Sequence, residues 1–551
     1  MDYFKVFHRL QNGNDVRGAA IATDKEQQTL TPDIAAYIAR AYAAWLAKRT
    51  GKAVGDLRIG VGHDSRVTAE PLSEAVLKGL SVAESYNCHL ISTPAMFQST
   101  VLPGSDFDGA VMITASHLPF NRNGLKFFTK DGGLEHSELT EVLDLATALA
   151  EKHAGGGAAE AADNTAGGAA EAAENTAGGA AEAPGNTEGG TPAAEVKDVS
   201  AAGLPEGEGS SVDFDMVGLY CDHMKQIIID EVQAEDREHP LAGLHIVEDA
   251  GNGAAGFFAT DILQPLGADI SGSVYLDPDG TFPNHIPNPE NHDAMNAARK
   301  AVTDSRADLG VIFDCDGDRG AVVFADGTEV NRNVLIALLA AILAPKHPGS
   351  VIVTDSVTSD ELHDFLEKDL GLKHFRYRRG YKNVIDKGIE LNKAGEDCEL
   401  AIETSGHGAF KENYFSDDGA YIAVKIICTM ARLQKEGKTI ESLIRDLKQP
   451  AESVEVRYTI AGEDFADYGT KVLEDFRVFA EQDPRFHIVE PNYEGIRVSF
   501  DDEEVKGWML LRKSLHDPVL PMNIEAEKAG GTDIIRKRLE PFFARYDRLS
   551  V

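Results

Sequence analysis

Through residues 57–450 one order of segments recurs: a short apolar run of strand character, a polar loop, then a helical stretch. LRIGVGHDSR, NCHLISTPA and DGAVMITAS are strand-then-loop units, separated by helical stretches such as AEPLSEAVLKGLSVAE. LHIVEDAGNGAAGFFATDILQPLGA and ADLGVIFDCDGDRG repeat the design, and SVIVTDSVTSDELHDFLEKDLG does so again. Such alternation predicts three similar α/β domains. From about Ala451 the pattern changes to strand-like ESVEVRYTI, a helix KVLEDFRVFAEQD, and strands EGIRVSFD and WMLLRKS, which read as a smaller C-terminal α+β domain. The expected domains are 1–153, 210–328, 329–450 and 451–551. Open α/β sheets bind ligands outside the carboxyl ends of their strands, so the polar loops are expected to line one central cleft.

The compositional break lies at 154–209, where GGAAEAADNTA, GGAAEAAENTA and GGAAEAPGNTE start at Gly156, Gly167 and Gly178. An eleven-residue period can specify a right-handed supercoil, but these repeats carry no large apolar residue to form a seam. Gly, Ala, Glu and Pro without aromatics bury too little surface to offset chain entropy, so the segment reads as a disordered acidic insert without a catalytic role. A docking tract for another protein is the alternative, and nothing in the repeats selects that partner.

At 551 residues and 43 % apolar content the chain can fill the cores of three or four domains. Its formal net charge of −37 argues against nucleic acid or an anionic membrane as partner. An anionic substrate would have to be held by clustered arginines and lysines, acting within a screening distance of roughly 8 Å. The cysteines, Cys88, Cys221, Cys315, Cys398 and Cys428, form no CxxC pair and point to reduced thiols. No basic and apolar leader precedes MDYFKVFHRL, and VLIALLAAILA, Val334 to Ala344, is too short to span a bilayer and reads as a buried helix. A cytoplasmic protein is expected.

Two loops carry the chemistry. In TASHLPFNRNGLKFF, Thr114 to Phe128, Ser116 stands beside His117 and ten residues before Lys126, directly after the apolar run FDGAVMI. A serine hydroxyl needs a neighbouring base or cation to act as a nucleophile, and Ser-His alone also fits a polar turn. In VIFDCDGDRGAVV, Asp314, Asp316 and Asp318 alternate between two apolar runs, with Gly317 free to turn and Arg319 adjacent. A hairpin turn does not require three aspartates, whose mutual repulsion is unfavourable without a cation. Hard ions such as Mg²⁺ take oxygen ligands of this kind and leave positions for a phosphate oxygen.

These two loops resemble the active-serine and metal loops of the α-D-phosphohexomutases, the family of phosphomannomutase, phosphoglucomutase and phosphoglucosamine mutase. ETSGH, Glu403 to His407, is similar to that family's sugar-binding loop, and GWMLLRKSLHDP, Gly507 to Pro518, stands where the family has its phosphate-binding loop. NDVRG, Asn14 to Gly18, and GHDSR, Gly62 to Arg66, also resemble family segments. SLHDP replaces the usual Ser-Asn/Gly-Thr-Glu-Pro, and Asn14 stands where relatives often carry tyrosine or threonine.

The resemblance implies that Ser116 carries a phosphoryl group, with one phosphate oxygen completing the coordination of Mg²⁺ held by Asp314, Asp316 and Asp318. The phosphoserine would pass its phosphoryl to a hexose phosphate. The resulting hexose 1,6-bisphosphate turns end over end and returns its other phosphate to Ser116. Lys126 and His407 are the implied general acid/base candidates, with His117 and Arg319 completing the catalytic set. A lysine near Arg17 and Arg319 is expected to have a lowered pKa, and histidine titrates near neutrality unaided. Glu403 and Ser405 would read the sugar's O3 and O4, Arg512 and Ser514 would hold the non-reacting phosphate, and Arg17 joins the substrate-binding set. RRGYKNV, Arg378 to Val384, makes Lys382 a further ligand candidate and Arg379 a weaker one. Mannose and glucose share O3 and O4, so dual specificity is expected, with phosphoglucosamine mutase as a near variant. Two other classes stay open: an aspartate-nucleophile phosphatase or mutase, from the Asp-x-Asp pair in DCDGD, and a non-catalytic sugar-phosphate-binding protein.

Overall fold

The apolar runs become the central strands of a computed structural model that describes residues 2–162, 211–514 and 517–551. In the first domain Arg58–His63 pairs in parallel with both Glu84–Leu90 and Gly109–Ile113, and Gly109–Ile113 pairs antiparallel with Arg122–Thr129. In the second, Ile246–Asp249 is parallel to Leu309–Phe313, which is antiparallel to Gly320–Phe324. In the third, Val351–Thr354 lies parallel to Lys373–Arg376 and Cys398–Ile402, and Cys398–Ile402 turns back antiparallel to Gly408–Phe410. The three domains share one device: a buried strand whose neighbour on one side is parallel, then a loop, then an antiparallel return. Those loops hold Ser116, the aspartate triad and Glu403 to His407. Burial on both faces explains why the strands read as continuous apolar runs.

Helix Pro32–Thr50 starts on a Thr31 cap whose hydroxyl accepts from the Ile34 nitrogen at 3.3 Å, and it stops at Gly51 with φ of +72°. Capping of this kind is worth about 1 kcal/mol. The run Val334 to Ala344 is, as expected, a buried helix: Arg332–Leu343 buries Leu335 to Leu343. No helix among the described residues is long and apolar enough to cross a membrane.

One apolar core runs without a break from the inner face of the first sheet, at Met96 and Phe107, through Phe313 of the second domain to Ile422 of the third. The fourth domain has its own core around Phe476, Met522 and Phe542, between an antiparallel sheet and helices Phe465–Glu481 and Gly531–Phe543. It is the expected α+β unit. Arg497 fastens it to the third domain: stacked 3.6 Å from the Trp508 ring centroid, its guanidinium donates to the Ser356 and Thr358 carbonyls at 3.0 and 3.1 Å.

Two expected boundaries move. Helix His136–Ala162 runs past residue 153 into the first repeat, whose alanines and glutamate favour helix. Strand Ser211–Asp213 belongs to the first sheet rather than to the second domain, pairing in parallel with Glu84–Leu90. The expectation of disorder for the repeats otherwise concerns 163–209, which lie outside the described residues.

Candidate active site

Ser116 stands in the loop between Gly109–Ile113 and Arg122–Thr129 in a left-handed conformation, φ +49°, and is 5 % exposed. Side chains rarely adopt this backbone, and tertiary contacts must hold it. The Ser116 nitrogen donates to Thr114 Oγ1 at 2.8 Å, and the Thr114 hydroxyl donates to Asp64 Oδ2 at 2.7 Å. The buried Arg66 guanidinium donates to the carbonyls of Ser116, Leu118, Pro119 and Arg122 and pairs with Asp64 at 3.2 Å. Asp64 and Arg66 lie in the GHDSR segment, to which the sequence alone assigned no role.

The Ser116 hydroxyl donates to Asp314 Oδ2 at 2.9 Å. The three aspartates are completely or almost completely buried, and one ligand oxygen from each lies within 4.8 Å of the others. Burial, then Asp318 and Asp316, pushes the Asp314 carboxyl well above the usual range. Asp316 Oδ1 and Asp318 Oδ1 are buried without a hydrogen-bond partner. Orphaned carboxylate oxygens beside a hydroxyl form a donor set that a hard divalent cation satisfies.

Lys126 reaches this cluster from Arg122–Thr129, with Nζ 2.5 Å from Asp318 Oδ2 and 3.3 Å from Asp316 Oδ2. Its expected lowered pKa is not found. Burial alone would lower it, but Asp316 and Asp318 outweigh burial and hold the ammonium well above its ordinary value. Arg17 lies beside it, paired with Asp15 at 2.8 Å and donating to the Thr114 carbonyl.

The histidines are organised by Arg319. Its Nε donates to His407 Nε2 at 2.9 Å and its Nη2 to His117 Nδ1 at 3.0 Å. Burial, then Arg319, drives His117 down to about 3, so this ring is neutral. The adjacent Ser-His pair is in weak contact: the Ser116 hydroxyl lies 3.4 Å from His117 Nδ1 but 2.9 Å from Asp314 Oδ2, and the same His117 nitrogen accepts from Arg319 at 3.0 Å. His407 Nδ1 donates to Asp417 Oδ2 at 2.5 Å, and Tyr381 stacks on the ring with centroids 5.3 Å apart. Burial would lower His407, but Asp417 outweighs it and raises the pKa. Asp417, ten residues on in NYFSDDG, was missed because only its neighbour Asp418 has a local signal, as the cap of helix Gly419–Lys435.

Across the cleft, Glu403 accepts from the Gly380 nitrogen at 2.6 Å and from the Ser405 hydroxyl at 3.4 Å. Arg379 lies beside it, its Nε 3.5 Å from Asp355. The Arg379 nitrogen donates to Glu494 at 3.1 Å, and Glu494 lies 3.9 Å from Arg512. Burial, then Arg379, lowers the Arg512 pKa, and Arg512 Nε is buried without a partner. Two neighbouring guanidiniums with an unused donor are a donor set that suits an anion. Ser514 stands next to it, its hydroxyl accepting from the Asp517 nitrogen at 3.2 Å; Leu515 and His516 lie outside the described residues. Lys382 does not join this cluster, because Glu135 and Asp386 take its ammonium at 2.6 and 2.9 Å. Arg379, the weaker expectation, does join it. Asn14 turns away and donates its amide to the Leu134 carbonyl at 2.8 Å.

A buried serine against an acidic triad, a lysine and a histidine–aspartate pair, with an arginine clamp across the cleft, is the layout of a phosphoryl-transfer enzyme acting on a phosphorylated ligand. Family models for phosphoglucomutase/phosphomannomutase match in order: α/β/α domain I at residues 8–152, domain II at 219–327 and domain III at 331–450. The chain belongs to the α-D-phosphohexomutase family. It is 26 % identical over 543 residues to the phosphoglucomutase of Neisseria gonorrhoeae, covering 98 % of this chain and 96 % of that protein. It is 27 % identical over 527 residues to the phosphomannomutase/phosphoglucomutase of Pseudomonas syringae pv. tomato, covering 93 % and 90 %. The fold matches a phosphoglucomutase/phosphomannomutase family structure from Burkholderia thailandensis with a TM-score of 0.71 at 22 % identity, covering 98 % of both chains.

Proposed function

We propose that the protein interconverts hexose 1-phosphates and hexose 6-phosphates of mannose, glucose or both, through phosphoserine 116 and a hexose 1,6-bisphosphate. The observation that carries this reading is the hydrogen bond between the Ser116 hydroxyl and Asp314, which joins a serine of one domain to the acidic loop of another. It also speaks against the aspartate-nucleophile class, because Asp314 Oδ2 is occupied by the serine. Asp314, Asp316 and Asp318 would hold Mg²⁺, which when bound offsets the negative charge of the transferring phosphoryl group.

The other residues bind, orient and move protons. Lys126 and His407 reach Asp318 of the acidic loop from two domains and serve as proton carriers for the sugar hydroxyl, with Asp417 holding the His407 Nδ1 proton. Arg319 neutralises charge beside both histidines. Glu403 and Ser405 present one carboxylate and one hydroxyl to vicinal sugar hydroxyls, which suits a ligand that must bind in two orientations. Arg379, Arg512 and Ser514 hold the phosphate that is not reacting. The buried, unpaired cysteines fit the reducing cytoplasm in which we place the enzyme.

The test is an isotope chase with mannose, glucose and glucosamine 1-phosphates. Label should appear on Ser116 and pass into fresh product, dephosphorylated enzyme should need a hexose 1,6-bisphosphate for activity, and the amino sugar should be the poorest substrate. Label passing straight to inorganic phosphate, or isomerisation that never labels Ser116, rejects the mechanism.

A further inference from the structure

Segment 277–290 of the second domain belongs to none of the loops above, yet it touches both arginines that flank the reacting serine. At one end Gly280 lies against the backbone of Ser65 to Val67. A Cβ there would stand 2.4 Å from the Ser65 carbonyl oxygen and the Val67 nitrogen, so no other residue fits without separating the loops. The Phe282 ring then faces the Arg66 guanidinium at 5.4 Å, from a backbone with φ of +49°. Such a conformation in a bulky residue persists only where its surroundings impose it. Arg66 is the residue that gathers four carbonyls of the Ser116 loop.

At the other end Asn288 Oδ1 accepts from Arg319 Nη1 at 3.5 Å, and Glu290 lies 3.7 Å from the same group. Between the two ends the segment is pinned from inside. Buried His285 donates Nε2 to the two oxygens of Asp249 at 3.0 and 3.1 Å, and the Asn284 amide donates to Asn252 Oδ1 at 2.8 Å.

We infer that residues 277–290 form a strap that fixes the serine loop of the first domain against Arg319 and the acidic triad of the second, with Phe282 and His285 as positioning residues for phosphoryl transfer. The inference rests on the mutase reading. Its physical reason is that the two loops come from different sheets, so no strand pairing sets their distance. Phosphoryl transfer depends on that distance, and a misplacement of about 1 Å can cost on the order of 10²-fold in rate. A loosened serine loop also admits water, which takes the phosphoryl group as inorganic phosphate and leaves Ser116 as the free hydroxyl.

Phe282 is partly exposed, so Phe282→Ala should fold. In the full-length phosphorylated enzyme it is expected to lower kcat on the order of tenfold with KM within about twofold, since the arginine clamp is untouched. The ratio of inorganic phosphate released to product formed should rise, and Phe282→Tyr, which keeps the ring face, should restore both. His285→Asn should act in the same direction, and the double variant should be little worse than the poorer single, because both loosen one element. Wild-type kcat and phosphate release in Phe282→Ala overturn the strap, as does a defect confined to KM or one that Phe282→Tyr shares. If His285→Asn does not fold, the two Phe282 variants decide alone. Wild-type enzyme that never forms phosphoserine rejects the mutase reading; wild-type enzyme that turns over, with variants indistinguishable from it, rejects the strap alone.

Discussion

Ser116 and Asp314, 198 positions apart and in different domains, are joined by one hydrogen bond of 2.9 Å. The contact is the shorter of the two the serine hydroxyl makes, since His117 Nδ1, which accepts from Arg319 at 3.0 Å, lies 3.4 Å from it. Serine and acidic triad therefore form one unit that depends on how two domains pack.

Ser116→Ala is expected to abolish the phosphoenzyme and nearly all turnover while leaving the melting temperature within a few degrees of wild type. Alanine meets the same left-handed backbone penalty as serine, roughly 1–2 kcal/mol, so the substitution adds no strain. Intact-protein mass spectrometry decides; a phosphate still present on the variant removes Ser116 as carrier.

Arg379 and Lys382 make opposite predictions although they are three residues apart. Arg379→Ala should raise KM for a hexose phosphate on the order of tenfold or more, since a charge-assisted phosphate contact is worth about 1.5–3 kcal/mol. Lys382→Ala should change KM little, because its ammonium is already held by Glu135 and Asp386. Equal effects from the two in steady-state kinetics would contradict this placement of the clamp.

Asp417→Asn should lower kcat on the order of 10²-fold or more with little change in KM, because the amide no longer fixes the His407 Nδ1 proton and so no longer sets which ring nitrogen is basic. Wild-type kcat in a folded Asp417→Asn enzyme would falsify the pairing as functional.

Glu525 gives the fourth domain a pH dependence. Its carboxyl accepts from Trp508 Nε1 at 3.0 Å and from the Ser453 hydroxyl at 3.1 Å, and burial, then Glu361, pushes its pKa up to about 7 from an ordinary 4.5. The folded state keeps a proton that the unfolded chain releases, so this stabilisation is complete below about pH 4.5 and is lost as pH rises through about 7. Across that window it amounts to about 3 kcal/mol. Melting followed by tryptophan fluorescence, with Trp508 one of two tryptophans, should therefore show wild type losing more stability than Glu525→Gln between about pH 5 and 7. Parallel curves for the two proteins would sink the assignment.

What the order of residues marks by itself is what is local. Apolar runs such as VIF and AVMI must be buried strands wherever the chain goes, and three aspartates at alternate positions with a turning glycine cluster whatever packs against them. Asp314, Asp316 and Asp318 are marked on that ground, and the three α/β domains with them, whereas Ser116, Glu403 and Ser405 are named through the resemblance to the family. The insert boundary at 154 slipped because a composition too polar for a core still suits the end of a helix.

What only the tertiary structure decided is every property set by a partner from another domain. The sequence sets Lys126 among arginines that would lower its pKa, but packing gives it Asp316 and Asp318 instead. Lys382 and Arg379 have the same charge three residues apart, one in the first turn of helix Tyr381–Lys393 and one just before it, and the positions of Glu135 and Glu494 separate them. Arg66 and Asp417 carry no local mark because their partners, the Ser116 loop carbonyls and His407, lie elsewhere in the chain or on the far side of a turn. Charge interactions fall off over a few ångströms and depend on burial, so their sign and strength belong to the packed molecule, whereas the alternation that makes strand and helix is already complete in the order of the residues.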